Sequence, residues 1–492
     1  MLIDFFYKAK QIVSFLYHKI FSMLMEEIGE FVLDRCSEAQ YAEARIEIQE
    51  TEGFLLKNGI PEISGFDSSR GVAIRVILDG ALGFASTNLF NKKNIEKACI
   101  RALKIARQSR QLIRDPVKFA EDKSSVDEYS VKQKKKTEDI SAEDKLTLLK
   151  SFNGQVKETQ KEVTSSYFSL NSSNVKKYFY NSEGSKIISE IPRLSSFWFF
   201  TVQNQEKSLQ RYKLYYGTGG FELIDKWDIG NEIQNEINSL HNTLIKGRKA
   251  QEGVYDLICG EEISGIASHE SVGHPFEADR ILGRESAQAG ESFVTEKMIG
   301  EQYCNENINV HENPLISGSA GYYLYDDEGV KARNRILIKN GLVNEFLHNR
   351  ESAYKMGISS NASARASSYR NEPIIRMANS YIDGGDSSEE EIISETKRGI
   401  YMKSFMEWNI DDKRYNQKYV GSEAYYVEDG EIKCPVINPV LEISTPSFWK
   451  SISLLGKKVK MFSGPCGKGE PMQTAPVLMG GPVMKLKNVR IK

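Results

Sequence analysis

The segment SHESVGHPFE, residues 268–277, contains two of the six histidines in the chain. His269 and Glu270 begin the pattern H-E-x-x-H, in which two histidines on one helix face bind zinc beside a glutamate that acts as general base. The second histidine, His274, follows His269 by five positions instead of four. Because residues five apart differ by about 140° around a regular α-helix, His269 and His274 could bind one ion only where the helix is irregular.

Gly273 and Pro275 predict such an irregularity. Glycine relaxes the backbone, and the proline cannot donate the helical hydrogen bond and disfavours α geometry at His274. A π-turn of about 4.4 residues, or an unwound helix end, would bring the two imidazoles back toward one face. Glu270 would then lie next to the metal site as the general base. A regular helix running through to Glu277 would contradict this interpretation.

A catalytic zinc site needs a third protein ligand and keeps one position open for water. The sequence offers three candidates: Glu277, His311 and Cys466. Cys466 lies in GPCGKG, where two glycines and a proline predict a tight loop that projects the thiol, although a free cysteine is more often a small buried residue. From spacing alone, histidines that are hydrogen-bonded in the core are the stronger interpretation, and a third ligand would reverse that weighting.

Three other motifs give weaker functional signals. GPCGKG is not a phosphate-binding P-loop, because Phe462 stands where the first glycine is required and Gly469 replaces the serine or threonine. YDDEG at 325–329 lacks the spacing of a calcium-binding loop and is interpreted as an acidic turn between strands. Arg365 and Arg370 in NASARASSYR could bind a peptide carboxylate, but a flexible surface loop is an equally ordinary interpretation.

The composition excludes several classes of protein. The chain of 492 residues has 65 Lys and Arg against 67 Asp and Glu, a net charge of −2, so no global field would attract nucleic acid. The six cysteines have no paired short spacings, which indicates free thiols and a cytoplasmic protein. The apolar segment 1–24 is interrupted by Lys8, Lys10 and Lys19, so we predict no membrane span and interpret it as an N-terminal extension.

The N-terminal half is predicted to contain two α+β segments joined by a charged linker. Apolar residues alternate over 40–90, as in half-buried strands, and an amphipathic helix follows in NIEKACIRALKIARQSRQLI. The charge-dense stretch 114–140 is typical of a solvated linker or long loop. Strand-like runs return over 163–223, and an apolar stripe predicts a helix at 228–246.

The C-terminal half is predicted to be β-rich and to carry the metal site. VYDLICG predicts a buried strand, and EEISGIASHESVGH predicts the helix that bears His269. The dipeptides Asn340-Gly341 and Asp429-Gly430 predict tight hairpin turns. A helix at about 447–456 is predicted to precede the glycine- and proline-rich loop that contains GPCGKG.

Together these elements predict an α+β protein in three parts. An N-terminal extension covers 1–24, and an α/β domain with a mixed sheet and helices covers 25–245. A β-rich domain that carries the metal site covers 246–492. No internal repeat at a solenoid period is evident in the sequence.

Four motifs in this order resemble the TldD/PmbA (TldD/TldE) metalloprotease family over residues 25–492. They are SRGVAIRVILDGALGFASTN, HESVGHPFEAD, YDDEGV followed by ILIKNGLVNEFLHN, and GPCGKG. The resemblance implies that His269, His274 and Cys466 bind Zn²⁺ and that Glu270 is the catalytic base. Because the metal motif is present, the chain is similar to the catalytic TldD type.

The resemblance further implies an activity and a partner. It predicts a zinc metalloprotease that cleaves small or unfolded peptides, including peptide precursors during maturation, with the active site in a metallopeptidase domain at 246–492. It also implies a heterodimer with a TldE/PmbA-like partner, or a homodimer. The alternative is a non-catalytic modulator or assembly subunit of a TldD/TldE-like complex. The extension 1–24 and Pro275, where a smaller residue is expected, depart from the family's pattern.

Overall fold

A computed structural model describes residues 20–285 and 291–492, and within these ranges it confirms the α+β fold class. The helices are α1 (20–35), α2 (Lys92–Ser109), α3 (Ala142–Glu158), α4 (Ile224–Trp227), α5 (Ile229–Lys246), α6 (Glu261–Ser268), α7 (Ala278–Ile281), α8 (Arg350–Lys355), α9 (Glu389–Ser394) and α10 (Thr445–Ser451). None of the described helices is long and apolar enough to cross a membrane.

The strands fall into an N-terminal and a C-terminal group. The N-terminal strands are β1 (Tyr41–Lys57), β2 (Ile60–Leu78), β3 (Ala81–Thr87), β4 (Val126–Ser130), β5 (Val163–Asn181), β6 (Lys186–Asn204) and β7 (Lys207–Thr218). The C-terminal strands are β8 (Arg248–Lys249), β9 (Gly253–Cys259), β10 (Val310–Glu312), β11 (Arg335–Lys339), β12 (Leu342–Val343), β13 (Ala364–Arg365), β14 (Ile374–Ile375), β15 (Asn379–Ile382), β16 (Arg398–Met402), β17 (Phe405–Ile410), β18 (Asn416–Gly421), β19 (Ala424–Glu428), β20 (Glu431–Ile437), β21 (Val440–Ser444), β22 (Ile452–Lys468) and β23 (Gln473–Ile491).

In the described ranges, the N-terminal strands form one seven-stranded sheet, here called the first sheet. Its order is β3-β2-β1-β5-β6-β4, and β7 also pairs with β6. Helices α1 and α2 pack on β1, β2 and β3, whereas α3 and α5 pack on β5 and β6. The apolar stripes that predict α2 and α5 are buried in these two contacts, which confirms both helices.

The charged segment 114–140 contributes a strand to the first sheet, so the prediction of a linker or long loop was wrong in part. Val126–Ser130 forms β4, which pairs in parallel with residues 186–190 of β6. Four of its five residues are exposed. Such a strand carries little hydrophobic alternation, which is why its composition resembles that of a loop.

The predicted extension 1–24 is described only from residue 20. Residues 20–24 begin α1, which packs on the first sheet through Met25, Ile28 and Val32. Residues 1–19 lie outside the described ranges. The domain boundaries at 24/25 and 245/246 stay predictions.

The C-terminal half forms a fourteen-stranded sheet in the described ranges, here called the second sheet. Its longest path is β12-β11-β10-β15-β23-β9-β16-β19-β20-β8. Strand β23 occupies a central place, because it pairs with β9, β15, β21 and β22. Helix α6 follows β9 and lies against β23, and a Cβ at Gly265 would come within 3.1 Å of the Gly480 nitrogen. Glycine at 265 therefore allows the close approach of helix and strand.

The two predicted hairpin turns of this half are confirmed. Asn340 and Gly341 connect β11 to β12, and Asp429 and Gly430 connect β19 to β20. All four residues have positive φ, between 49° and 77°. This is the geometry of the type I′ turn, which Asn-Gly and Asp-Gly favour.

The glycine- and proline-rich segment around Cys466 is a strand, so the prediction of a loop was wrong. Helix α10 ends at Ser451, before the predicted end at 456, and the chain continues as β22 to Lys468. Cys466 pairs with Ala475 of β23 in antiparallel register. Among the described strands β22 pairs only with β23, and such an edge position tolerates Pro465, which has no N–H to donate.

Candidate metal centre

His269 and His274 lie on an irregular stretch of helix. Helix α6 ends at Ser268, a π-helical turn covers His269–Gly273, and a 3₁₀ turn covers His274–Phe276. The His274 N–H donates to the His269 carbonyl, which is the hydrogen bond of π geometry. The irregularity predicted from the five-residue spacing is therefore confirmed.

Tertiary contacts hold this turn in place. A Cβ at Gly273 would lie 1.9 Å from the Met377 Sδ, so a larger residue would displace either the turn or Met377. Pro275 lies at the start of the 3₁₀ turn, where a missing N–H costs no helical hydrogen bond. The Trp449 Nε1 donates to the Ser271 Oγ at 2.9 Å. The π-turn is thus fixed by packing as well as by local sequence.

His269, His274 and Cys466 come together in the core. One donor atom of each lies within 4.8 Å of the other two, and the Cys466 Sγ lies 3.3 Å from the His274 Nε2. A nitrogen and a sulfur ligand of a tetrahedral zinc ion lie about 3.5 Å apart, given bonds of about 2.0–2.1 and 2.3 Å. All three side chains are buried. The donor set therefore fits a zinc ion in type, number and spacing.

The other two candidate third ligands do not join this cluster. Glu277 contacts the Nδ1 of His274, on the opposite side of the ring from the Nε2 that faces Cys466. His311 lies on β10, where its Nε2 is 2.8 Å from an Asp383 carboxylate oxygen. Within the described residues, Cys466 alone of the three candidates completes a set of three donors with the two histidines.

Burial and neighbouring charges favour the metal-binding protonation states. Burial lowers the pKa of both His269 and His274, so the neutral imidazole predominates. Burial raises the pKa of the Cys466 thiol, but the positive charge of His274 in its protonated form and the Arg376 guanidinium outweigh this effect and lower the pKa to about 7. Arg376 is itself buried and donates to the Cys466 carbonyl. A substantial thiolate fraction therefore exists near neutral pH.

Glu277 fixes the orientation of the His274 ring. Its Oε2 lies 2.9 Å from the His274 Nδ1 and accepts a hydrogen bond from the Arg280 Nε at 3.0 Å. Burial raises the pKa of Glu277, but Lys468, His274 and Arg280 outweigh it and hold the pKa well below its usual range. An ionised Glu277 favours the tautomer of His274 with its proton on Nδ1. The Nε2 lone pair then faces Cys466.

Lys468 connects this carboxylate to the strand that carries Cys466. Its Nζ lies 3.1 Å from the Glu277 Oε2 and donates to both Asp279 carboxylate oxygens at 2.7 Å. Lys468 follows Cys466 by two positions on β22, and its side chain is fully buried. The ion cluster therefore ties the histidine segment to the cysteine strand.

Glu270 follows the first histidine and is held by Arg414. The Arg414 Nη1 donates to the Glu270 Oε2 at 2.9 Å, and both residues are buried. Arg414 has a φ of 65°, a left-handed conformation that costs a non-glycine residue about 1–2 kcal/mol. The surrounding fold therefore maintains an unfavourable backbone conformation at the residue that contacts Glu270.

A cavity of about 540 Å³ opens onto these residues. His269, Glu270, His274, Cys466 and Arg414 line it together with residues of β7, β17 and β22. A cavity of this size falls in the range of about 300–1,000 Å³ that is usual for small-molecule sites. The three donors, the carboxylate and a ligand-sized space thus occur in one place.

The remaining residues singled out by sequence lie elsewhere. The Asp326 carboxylate accepts the N–H groups of Glu328 and Val330, which confirms the acidic turn at 325–329. Arg365 is 8% exposed rather than on a flexible surface, whereas Arg370 is exposed. No motif marks Arg376, Arg414 or Lys468, because their partners are distant in sequence. Of these three residues, only Lys468 could have been linked to the site from the sequence, because it follows Cys466 by two positions.

The fold and the site define a class of protein: an α+β chain with a buried His/His/Cys donor set and an adjacent glutamate, as metal-dependent hydrolases require. Three family models match it, PmbA/TldA metallopeptidase domain 1 at 42–106, the central domain at 135–240 and the C-terminal domain at 252–492. The chain belongs to the PmbA/TldD metallopeptidase family.

Individual relatives agree with this assignment. A metalloprotease of Methanocaldococcus jannaschii is 31% identical over 444 residues, 90% of this chain and 94% of that protein. A zinc metalloprotease TldD homolog of Saccharolobus solfataricus is 30% identical over 316 residues, 64% of this chain and 68% of that protein. The fold resembles TldE from Thermococcus kodakarensis with a TM-score of 0.72 at 18% identity, over 95% of this chain and 99% of that one. The sequence relatives support a metallopeptidase function.

Proposed function

We propose that the protein is a zinc-dependent peptidase of the catalytic TldD type that hydrolyses small or unfolded peptides, including peptide precursors during maturation. The observation that carries the proposal is the buried cluster of His269, His274 and Cys466, with donor atoms within 4.8 Å of one another. Three donors leave a fourth position open, which distinguishes catalytic zinc sites from structural sites with four protein ligands.

Each residue of the centre has a distinct role in the proposed reaction. His269, His274 and the Cys466 thiolate hold the ion, and Glu277 fixes the tautomer of His274. When bound, zinc supplies a Lewis acid that lowers the pKa of water and polarises the scissile carbonyl. Glu270 accepts the proton of the attacking water and passes it to the leaving amine. Arg414 keeps the Glu270 carboxylate in place through its hydrogen bond.

The cavity offers backbone edges to an extended peptide. Residues of β17 and β22 line it, and among the described strands β17 pairs only with β18 and β22 only with β23. Each strand therefore has an edge on which main-chain groups could pair with a substrate strand. Recognition through the backbone accepts many side chains, which suits a peptidase of unfolded peptides.

The proposal includes an assembly. A heterodimer with a TldE/PmbA-like partner is the arrangement that the family assignment favours, and a homodimer is the other arrangement. Fold similarity to a protein named TldE supports the relationship between such chains, not the contact between them. A cytoplasmic location stays a prediction.

Metal analysis of cysteine variants tests the proposed ligand set. We expect about one zinc ion per chain in the wild type and its loss in Cys466→Ala, because removal of one ligand of three weakens binding strongly. Cys434→Ala is the matched control, since Cys434 lies half-buried on β20 and outside the donor cluster. Wild-type protein that contains no metal when freshly purified would favour the non-catalytic modulator or assembly subunit.

A variant of the proposed base tests the chemistry separately. Glu270→Gln keeps the shape of the side chain but removes the proton acceptor, so we expect zinc to remain and peptide cleavage to cease. Cleavage is followed with a fluorogenic peptide, and zinc with elemental analysis on the same samples. Activity of Glu270→Gln close to that of the wild type would refute the assignment of Glu270.

A further inference from the structure

A second cavity, of about 260 Å³, lies between the first sheet and the C-terminal half. Strands β5 and β6 form one wall, and residues near Arg365 and the β22–β23 hairpin form the other. Pro465, which directly precedes Cys466, lines both this cavity and the one that contains the candidate metal centre. The two cavities are therefore neighbours. The smaller one suits a chain end better than a whole ligand, since small-molecule sites usually exceed about 300 Å³.

Arg365 places a buried positive charge in the wall of this second cavity. Its Nη1 donates to the carbonyls of Met377 at 2.5 Å and Pro476 at 3.1 Å, and its guanidinium lies over the Tyr323 ring, 5.5 Å from the centroid. Within residues 20–285 and 291–492, no carboxylate forms an ion pair with it. Burial, together with repulsion from Arg376 and Arg193, outweighs the attraction of Tyr323 and Asp327 and lowers the pKa of Arg365 to about 10.

Arg193 of β6 adds a second positive charge to the same cavity. Its Nε is buried and has no hydrogen-bond partner in the part of the chain that the structure describes. Arg193 and Arg365 both line this cavity, and their mutual repulsion adds to the larger effects of burial and Arg376 that lower the pKa of Arg365. Two neighbouring cations in a partly desolvated cavity favour an anionic ligand between them.

The acidic residues that line the cavity are engaged by other groups. Asp327 accepts hydrogen bonds from the Lys177 Nζ at 2.7 Å and from a backbone N–H at 2.8 Å. Asp326 accepts three backbone N–H groups. A carboxylate oxygen of Glu47 lies 3.7 Å from the Lys177 Nζ. The close contacts of these carboxylates are therefore with Lys177, Arg45 and backbone N–H groups, and Asp327 attracts Arg365 only at longer range.

We propose that Arg193 and Arg365 bind the C-terminal carboxylate of a peptide whose scissile bond lies at the metal centre. Guanidinium groups form short charge-assisted hydrogen bonds with a carboxylate, which a neutral amide end cannot match. The inference rests on the proposed peptidase function and defines its substrate class, peptides cleaved near a free C-terminus. Backbone pairing alone does not determine which bond of a peptide is cut. A chain end bound at a fixed distance from the metal centre would determine it.

A matched pair of peptides tests this proposal. The two have one sequence, and one ends in a free carboxylate while the other ends in an amide. With the zinc-loaded wild type we expect kcat/KM to favour the free acid by about tenfold or more, the effect of one charge-assisted hydrogen bond. In Arg193→Met we expect the KM of the acid to rise until the two peptides are cleaved equally. Arg193 is the preferred site because, among the described residues, its Nε has no hydrogen-bond partner that the substitution would remove.

Arg370→Met is the control variant, since Arg370 is exposed and lies five positions from Arg365 outside the cavity. It should retain the preference of the wild type for the free acid. Equal cleavage of both peptides by the wild type would overturn the proposal, as would a preference for the acid that survives in both Arg193→Met and Arg365→Lys.

A binding measurement separates this proposal from the peptidase function itself. Calorimetry on the Glu270→Gln protein compares the acid, the amide and inorganic phosphate as ligands. Tighter binding of the acid than of the amide, lost in Arg193→Met, supports the carboxylate site. This holds even if the wild type cleaves neither peptide, because failure to cleave would refute only the peptidase function. Phosphate binding that depends on Arg193, without any preference for the acid over the amide, would assign the cavity to free phosphate and overturn the proposal.

Discussion

Replacing Glu277 with glutamine should weaken zinc binding although Glu277 is not a proposed ligand. The Glu277 Oε2 lies 2.9 Å from the His274 Nδ1, 3.0 Å from the Arg280 Nε and 3.1 Å from the Lys468 Nζ. Glutamine keeps the volume but removes the charge that these three groups share. The hydrogen bond to His274 then changes from charge-assisted to neutral, a loss of about 1 kcal/mol, and Arg280 and Lys468 each lose one of two counter-ions, keeping Glu285 and Asp279.

The expected effect is a 10- to 100-fold weaker zinc affinity, or about 1.4–2.7 kcal/mol, as for other residues that orient a metal-bound histidine. Competition with a fluorescent zinc chelator measures it at constant pH. Glu285→Gln is the matched control, because Glu285 pairs with Arg280 at 3.0 Å and contacts neither His274 nor the donor cluster. Unchanged affinity in Glu277→Gln, or an equal loss in both variants, would refute an effect transmitted through His274.

Three further perturbations address the same centre. Below about pH 7 the Cys466 thiol must lose its proton to bind zinc. The zinc affinity, measured by chelator competition, should therefore rise about tenfold per pH unit up to pH 7 and level off above it. A zinc affinity that does not change with pH would exclude Cys466 as a ligand. Gly273→Ala should clash with Met377, reduce the free energy of unfolding by about 1–3 kcal/mol and so lower the thermal midpoint. Adding Met377→Ala to the same chain should recover part of this loss. If the two substitutions instead destabilise the protein additively, the clash is contradicted. Arg414→Met should keep its zinc but lower kcat about 10- to 100-fold, and added guanidine should restore part of the activity if Arg414 acts by holding Glu270.

The histidine segment shows what local sequence can determine about this site. The five-residue spacing, Gly273 and Pro275 together predict an irregular helix, because only such a helix brings the two imidazoles together. The structure has a π-turn there. The same kind of reasoning predicts α2 and α5, whose apolar stripes are long and strongly periodic. Local periodicity is reliable where one face of an element meets one core.

Cys466 shows where local sequence is insufficient. Two glycines and a proline next to it favour a loop, yet β22 pairs with β23 through this whole segment, from Gly464 to Lys468. Pairing with the adjoining strand of the β22–β23 hairpin outweighs the turn propensity of these glycines and the proline. The buried cations Arg376 and Arg414 are equally hidden, because their partners lie far away in sequence. The ligand role of Cys466 was implied by family resemblance rather than derived from its neighbours.

The central position of β23 affects when the centre can assemble. Strand β23 follows all the other described strands in sequence, yet α6 lies against it and β22 pairs with it. During synthesis the N-terminal part of a chain leaves the ribosome first, so His269 and Glu270 emerge long before the strand that supports them. The proposed peptidase would therefore remain inactive while its own chain is still being made.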